Sequence, residues 1–384
     1  MPPSEPWTAF AAEHPRATPG QLIEQAIQEG RTEVVLGILQ NTDVDINRAC
    51  DPQRYGSVSP LMTALRAGNA RIVSLIARQP RFDLARSLPK YERWSWIRTA
   101  SLEVLDQYLS IRGADVNQPD GNGKTLLHEV VYDLGSQDKL RHLLSQPGIM
   151  VDAKQADGTS PLYRAGLAGN GPAFTLLLEQ GADVNNRNND NRWTILISAV
   201  AENHTNIVEQ ALARPEIDIN AGDDLNNTAL HIAAERGQTQ MVEFLLENPK
   251  IEINPQNHTG LTPLSKAAFG GHAEIVRRLL ARPELEVNLV DQYRQTPLFH
   301  AASTGSIEVV RLLLADARTN SAITNRPARL TAYDMAISLG FNAVAEAIRE
   351  HAGDRDALSP GDPWVELPVQ PRRFPFMRPP RKSS

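Results

Sequence analysis

The residues with the clearest potential for chemistry are the single cysteine, Cys50, nine histidines and acidic pairs such as Asp223-Asp224. A catalytic cysteine needs an activating base, and no motif around Cys50 supplies one. The sequence has no glycine-rich phosphate loop followed by Lys-Ser/Thr, no His-Glu-x-x-His and no Cys-x-x-Cys. We therefore expect no catalytic residues, no metal and no cofactor. The chain is predicted not to be an enzyme.

The charge balance argues against another class of function. The 384 residues carry a net charge of -6, whereas neutralising nucleic-acid phosphates requires a basic surface. The most apolar stretch, Trp193 to Ala201, is about half of the ~20 residues that a membrane helix needs. The N-terminus has no basic start and no apolar run of signal-peptide length. We expect neither a direct nucleic-acid partner nor a membrane partner, and a cytoplasmic or nuclear protein.

Most of the chain is an internal repeat. The segment Thr262-Pro-Leu-Ser-Lys-Ala-Ala recurs as Thr296-Pro-Leu-Phe-His-Ala-Ala and as Thr228-Ala-Leu-His-Ile-Ala-Ala. Weaker copies extend the series in both directions, and the later ones are 34 or 35 residues apart. The predicted repeat starts lie near residues 21, 59, 90, 125, 160, 194, 228, 262, 296 and 331.

Each copy has the pattern of two helices and a turn. Thr or Ser is placed to cap the first helix, Pro often follows it, and Gly at the tenth position suits the helix end. The second helix carries apolar residues at helical spacing, for example Val309, Val310, Leu313 and Leu314. An extended Asp/Glu-Ile/Val-Asn piece and a polar turn lead to the next copy.

These motifs, in this order, resemble the ankyrin repeat over residues 21–350, in a variant similar to fungal multi-ankyrin proteins. The resemblance implies an all-α repeat solenoid whose helix-turn-helix units are joined by β-hairpin or loop fingers. The family's motif histidine, which ties neighbouring loops together, matches His128 and His231. Other residues replace it elsewhere, so those junctions are expected to be looser or packed differently: Tyr163, Ile197, Ser265, Phe299 and Asp334.

The two ends of the chain differ from the array. Residues 1–20 are polar and contain proline, and we interpret them as a lead or cap. Residues 351–384 are predicted to form a disordered, proline-rich basic tail. Pro368, Pro371 and Arg373 have the form of a polyproline ligand, and Arg378–Lys382 that of a basic import signal. An inert tail is the alternative to both.

The copy near Lys90 departs from the repeat, because Trp94, Ser95 and Trp96 stand where other copies have x-Ala-Ala. Two indoles do not fit a slot made for methyl groups. One interpretation is a locally repacked junction. The others are a partner-facing aromatic patch or a specialised pocket.

In ankyrin-like arrays, partners bind a concave face made of finger tips and the exposed positions of each first helix. Most of those positions are polar or small here. The exceptions, which we predict to contact a partner unless loops shield them, are Trp193, Leu225, Glu235, Arg236, Leu261, Phe269 and Tyr293.

The resemblance and these residues favour a monomeric, non-enzymatic scaffold or adaptor that binds another protein on its concave face. A nuclear transcription coregulator acting through protein contacts is a narrower alternative. An enzyme or enzyme subunit with a pocket near the third repeat is an alternative of a different class.

Overall fold

The structure is a computed structural model that describes residues 6–50, 58–91 and 93–352. Within these ranges it contains α-helices, one 3-10 helix and no strand beyond an isolated bridge between Arg187 and Thr194. The α-helices are α1 Pro6–Glu13, α2 Pro19–Gln28, α3 Thr32–Asn41, α4 Pro60–Arg66, α5 Ala70–Ala77, α6 Leu84–Ser87, α7 Leu102–Leu109, α8 Leu126–Val130, α9 Gln137–Leu144, α10 Pro161–Leu167, α11 Gly171–Glu179, α12 Ile195–Ala201, α13 Thr205–Leu212, α14 Ala229–Arg236, α15 Thr239–Glu247, α16 Pro263–Gly270, α17 Ala273–Leu280, α18 Pro297–Ser303, α19 Ile307–Ala315, α20 Ala332–Ser338 and α21 Asn342–Ala352.

Within the described ranges, most of these helices form ten consecutive units, each with an inner (first) and an outer (second) helix. Inner helices pack on the inner helices of neighbouring units, as α14 does on α16 and α16 on α18. Outer helices pack on outer helices in the same way, as α17 does on α19. This arrangement confirms the predicted all-α solenoid. The connections that were expected to be hairpins or loops are loops throughout the described residues.

The predicted caps explain where the inner helices begin. In seven units a Ser or Thr hydroxyl accepts a hydrogen bond from the backbone N–H three residues later, which otherwise has no helical partner. The capping residues are Thr18, Ser59, Ser160, Thr194, Thr262, Thr296 and Thr331. The tenth-position glycine follows the inner helix with a left-handed backbone, as Gly271 shows with φ of 71°.

Both ends of the array differ from the predicted boundaries. The first inner helix is capped by Thr18, three residues before the expected start, and Gln21 completes a capping box. Helix α1, within the predicted lead, packs on α3 and buries Phe10. At the other end α21 continues to Ala352, two residues past the expected limit.

The third unit is repacked around its two indoles. Its inner helix is reduced to a 3-10 helix at Ser95–Arg98. Trp94 and Trp96 are 0% and 1% exposed, and both rings lie against Tyr108, with centroid distances of 5.7 and 5.2 Å. The Trp94 indole N–H donates to the carbonyl of Lys124 at 2.8 Å. Removing the regular helix makes room for side chains far larger than alanine.

Asparagine side chains clamp successive units in the segments between each outer helix and the next finger. Asn254 donates to the carbonyl of Glu284 at 2.8 Å and accepts from the N–H of Glu286 at 2.9 Å. The same pair of bonds recurs at Asn47, Asn117, Asn185, Asn220 and Asn288. The asparagine of the Asp/Glu-Ile/Val-Asn motif therefore fixes each unit's position on the next.

Candidate functional site

The fingers are the loops that precede each inner helix, and backbone hydrogen bonds join their tips into a row. His258 N–H donates to the carbonyl of Leu225 at 2.9 Å, and Gln292 N–H donates to that of Thr259 at the same distance. One such bond spans each of seven successive junctions, from Lys90–Gly121 to Tyr293–Arg326. A row joined in this way holds the fingertips in fixed relative positions.

Each fingertip is also closed by a side chain at its base. Asp291 Oδ1 accepts from the N–H groups of Tyr293 and Gln295, at 2.9 and 2.8 Å. Asp223 does the same for its own finger, accepting from the N–H groups of Leu225 and Asn227. The acidic pair Asp223-Asp224 therefore lies in a turn, where Asp223 has a structural task.

The finger face comprises the tips 223–226, 257–260, 291–294 and 325–329 together with the exposed positions of α14, α16 and α18. Three of the predicted contact residues lie on it with large exposed side chains: Leu225 is 59% exposed, Tyr293 53% and Phe269 38%. We call these three residues the apolar patch. His300 lies between the finger that carries Tyr293 and the helix that carries Phe269. Its Nε2 lies 3.3 Å from Asp291 Oδ2, and its ring centroid lies 6.2 Å from that of Phe269.

Two other predicted contact residues are less accessible. Trp193 is partly buried and packs against the core, and Leu261 is partly buried beneath its finger. Both occupy the position just before the helix cap, where the chain turns inward. Leu225 and Tyr293 lie three residues before the cap, at the tip itself, which accounts for their greater exposure.

The charged pair on α14 is engaged within the array. Glu235 accepts from Lys266 Nζ of the next unit at 2.9 Å. The guanidinium of Arg236 donates to the carbonyl of Ala201 in the preceding unit. Both side chains remain on the surface, but Arg236 is tied to its neighbour and is not a free anchor for a partner.

The interpretation of Trp94 and Trp96 as a partner-facing patch is wrong, because both side chains are buried. The nearby surface has an open groove of about 600 Å³ lined by Arg98, Tyr132 and Asp133. Beside it, buried Glu129 pairs with Lys124 at 2.8 Å and with Arg98. The indoles are not among the residues that line the groove.

The motif histidines tie units together. His231 Nδ1 accepts from the N–H of Thr228 at 3.1 Å, and its Nε2 lies 3.0 Å from the carbonyl of Leu261 in the next unit. His128 makes the same contacts with Thr125 and Thr159. Burial lowers the pKa of both imidazoles to about 4. They are neutral structural groups at physiological pH.

Units that lack the motif histidine contact their neighbours through other side chains. The Tyr163 hydroxyl lies 2.5 Å from Ser198 Oγ of the next unit, so this junction is packed differently, as expected. His204 and His272, which follow the inner-helix turn, lie 3.1 Å from carbonyls of Leu167 and Glu235 in the preceding units.

Cys50 and clusters of metal-ligating side chains are the remaining candidates for chemistry. Cys50 is buried, and burial together with Glu24 raises the pKa of its thiol to about 12. No group of three His, Cys, Asp or Glu side chains in the described ranges is placed to hold a metal ion. In the same ranges, no helix has both the length and the apolarity to cross a membrane. Pro368, Pro371 and Arg373 lie outside the described residues.

The sequence matches the family model described as "Ankyrin repeats (3 copies)" at residues 96–188, 169–257 and 249–324, which together span more than half of the chain. The solved ankyrin repeat domain from Acinetobacter baumannii is 31% identical; the match covers 50% of this chain and 96% of that one, with a TM-score of 0.46.

Two curated relatives show how much of this chain, and how much of each relative, the sequence match covers. "Ankyrin repeat domain-containing protein SAT10" of Stachybotrys chartarum is 28% identical over 42% of this chain and 8% of its own length. "Palmitoyltransferase Hip14" of Drosophila melanogaster is 32% identical over 35% of this chain and 21% of its own length. The chain spans about a fifth or less of the length of the curated relatives it matches.

Proposed function

Because the chain belongs to the ankyrin repeat family, we propose that it is a non-enzymatic adaptor that binds a partner protein on its finger face. Ankyrin repeats are generally protein-interaction modules. The observation that carries the proposal for this chain is the apolar patch, whose three large side chains are exposed on that face. Aromatic side chains in such positions are typical anchors of protein interfaces.

The patch stabilises a complex more than it stabilises the free chain. Exposed apolar surface contributes about 25 cal/mol per Å² when a partner covers it. The row of finger backbone bonds already orders Leu225 and Tyr293, so little backbone entropy is lost on binding.

A photo-crosslinking experiment tests the proposal. A benzophenone amino acid is placed at Phe269 or Tyr293 in the full chain, expressed in its native cells, and crosslinked proteins are identified by mass spectrometry. The control position is Met150, which is 58% exposed but lies after α9, outside the finger face. We expect the same protein adduct at Phe269 and Tyr293 and none at Met150.

Alanine variants separate binding from folding. Phe269→Ala with Tyr293→Ala should abolish capture of that adduct partner at an unchanged melting temperature, whereas Trp193→Ala should lower the melting temperature because its ring packs on the core. Undiminished capture by the double variant would show that the finger face is not the binding surface.

We also propose that the adaptor works in the cytoplasm, the nucleus or both, with transcription coregulation as its nuclear form. The support is the basic cluster at Arg378, Arg381 and Lys382, which lies outside the described residues. Imaging of the tagged chain with and without residues 359–384 tests this: nuclear signal that does not change on deletion contradicts a role for the cluster.

A further inference from the structure

We infer that the C-terminal end of the finger face binds an acidic, extended segment of the partner that also carries apolar side chains. The inference rests on the proposed function and names the chemistry of the partner. It concerns the tips 291–294 and 325–329, which carry Tyr293 and three arginines, Arg294, Arg326 and Arg329.

The three arginines are exposed and uncommitted. Within the described part of the chain, none of their guanidinium groups takes part in an ion pair or a side-chain hydrogen bond. The only acidic residue in the two tips, Asp291, is buried and closes its own finger. The exposed surface of these two tips is therefore purely cationic.

Three cations of the neighbouring outer loops have structural tasks. Lys250 Nζ donates to the carbonyl of Pro215 at 2.7 Å, and Arg282 donates to that of Leu246 at 3.0 Å. Arg318 bonds to Asp316 and to the carbonyl of Leu280, both at 2.7 Å. The fingertip arginines differ from these three cations, since none of their guanidinium groups takes part in a described ion pair or side-chain hydrogen bond.

Two of these arginines occupy a backbone conformation that disfavours them. Arg294 and Arg329 have φ of 58° and 57°, two residues before their helix caps. The equivalent residue is glycine at Gly158 and Gly260, with φ of 78° and 79°, whereas Arg192 and Asn226 share the left-handed conformation in two other fingers. A side chain there costs stability that glycine would not cost, and residues held in such conformations concentrate at functional sites.

The cationic tips adjoin the apolar patch. Tyr293 lies beside Arg294 in one tip, and its carbonyl accepts from Arg326 N–H of the next at 2.7 Å. Beneath the surface, buried Asp291 and His300 link this finger to Phe269 on the inner helix α16. An acidic segment with apolar side chains satisfies both parts, with carboxylates on the tips and apolar groups on Tyr293 and Phe269 of the patch.

The charge on a neighbouring tip also limits where an acidic ligand can bind on the finger face. The tip 223–226 carries exposed Asp224, which repels an acidic ligand and confines it to the last two tips. Nucleic-acid phosphates are the other anionic ligand. A peptide is favoured because three arginines on two tips neutralise a few carboxylates, whereas nucleic-acid binding relies on a longer basic stripe.

The test begins with peptide display. A random 12-residue library is selected on the immobilised full chain, and we expect the enriched peptides to be rich in Asp and Glu with aromatic or aliphatic residues among them. The best peptide is then synthesised with a fluorescent label, and its Kd is measured by anisotropy at two salt concentrations. We expect weaker binding at the higher salt concentration.

Paired variants identify the arginines as the cause. Arg294→Gly with Arg329→Gly suits the left-handed backbone, so the urea midpoint should be unchanged or higher while the Kd rises at least tenfold. Arg294→Lys with Arg329→Lys keeps the charge and should bind within about fivefold of the parent chain. Arg112→Ala with Arg141→Ala removes the same charge from exposed positions in distant units and should leave the Kd unchanged.

Each contrary result has a distinct meaning. Enriched peptides that are not acidic, or that bind the double glycine variant as well as the parent, overturn the inference. If such peptides still depend on Phe269 and Tyr293, the proposed function survives. A selection that enriches nothing counts against both. A labelled single-stranded DNA 12-mer is compared with the best peptide in the same assay. If the DNA binds more tightly than the peptide and the double glycine variant does not bind it, the ligand of these tips is nucleic acid and the inference of an acidic peptide is overturned.

Discussion

Acidification should destabilise the array through its two buried motif histidines. His128 and His231 are fully buried, and their pKa in the folded chain is lowered to about 4. In the unfolded chain an imidazole has a pKa of about 6.5. Between these values the unfolded chain holds protons that the folded chain excludes, so the free energy of unfolding falls as the pH falls from 7 towards 4 and levels off below 4.

The size of the effect follows from that difference. A tenfold change in proton affinity corresponds to about 1.4 kcal/mol, so at pH 5 each histidine lowers the free energy of unfolding by roughly 2 kcal/mol. The two together lower it by roughly 4 kcal/mol, out of the 5–15 kcal/mol typical of folded domains. Geometry supports the direction, because Nδ1 of each ring faces a backbone N–H and would lose that contact on gaining a proton.

Urea unfolding at pH 7, 6 and 5 measures the effect, above the range where most carboxylates begin to take up protons. The double variant His128→Ser with His231→Ser places at each site the residue that the unit of α16 already has there, Ser265, whose hydroxyl contacts that of the capping Thr262. The free energy of unfolding of this variant should change much less over this pH range than that of the parent chain. His258→Ser removes an exposed imidazole as the control. NMR titration of the ring protons should report midpoints near 4 for His128 and His231. Equal pH dependence in the parent and the double variant, or midpoints near 6.5, would refute the reasoning.

The remaining predictions concern the array's joints and are checked by urea unfolding. Asn254→Ala removes two hydrogen bonds across one junction and should cost about 1–2 kcal/mol, whereas Asn254→Asp keeps the acceptor and should cost less. Gly260→Ala places a Cβ 2.9 Å from Asp291 Cα in a left-handed residue and should cost about 2–3 kcal/mol. Gly181→Ala, left-handed but with nothing within 4 Å, should cost only about 1 kcal/mol. Trp96→Ala should cost about 3–5 kcal/mol, and a smaller loss would mean that the third unit is loosely packed.

The repeat was predictable because its signals are local. A Thr or Ser hydroxyl, a following proline and a glycine nine residues after the cap act on the backbone of a single short helix, so Thr262 and Thr296 cap helices as their sequence indicates. The start of the first unit was predicted three residues too late for a related reason. Thr18-Pro19 has the right cap, but Gly20 stands where most other copies have Leu, so the pattern is broken at its most visible position.

The third unit could not be predicted in detail because its structure depends on residues far apart in sequence. Trp94 and Trp96 indicate only that a regular helix would be overcrowded. The indoles are accommodated by Tyr108 on the outer helix and by the carbonyl of Lys124 in the next finger. The same local signal would be compatible with an exposed patch if those partners were absent.

The candidate contact residues show a similar division. Sequence spacing placed Trp193, Leu225, Leu261 and Tyr293 near the helix caps, and all four are there. Spacing does not say which of these side chains turns inward, since that depends on the path of the finger. The position next to the cap is partly buried in both cases, while the position three residues before it is exposed in both.

Net charge is a weak guide to the surface of an elongated array. At physiological ionic strength charges are screened over about 8 Å, and neighbouring helices are separated by about 8–10 Å. A charge two units away therefore contributes little to the field at a given fingertip. The net charge of -6 is consistent with a cationic pair of tips at Arg294 and Arg329, because the acidic residues responsible for it, apart from buried Asp291, lie outside these tips. The net charge argues against a nucleic-acid ligand because such a ligand would contact many units. A short acidic peptide contacts only two tips and is affected only by the charges near them.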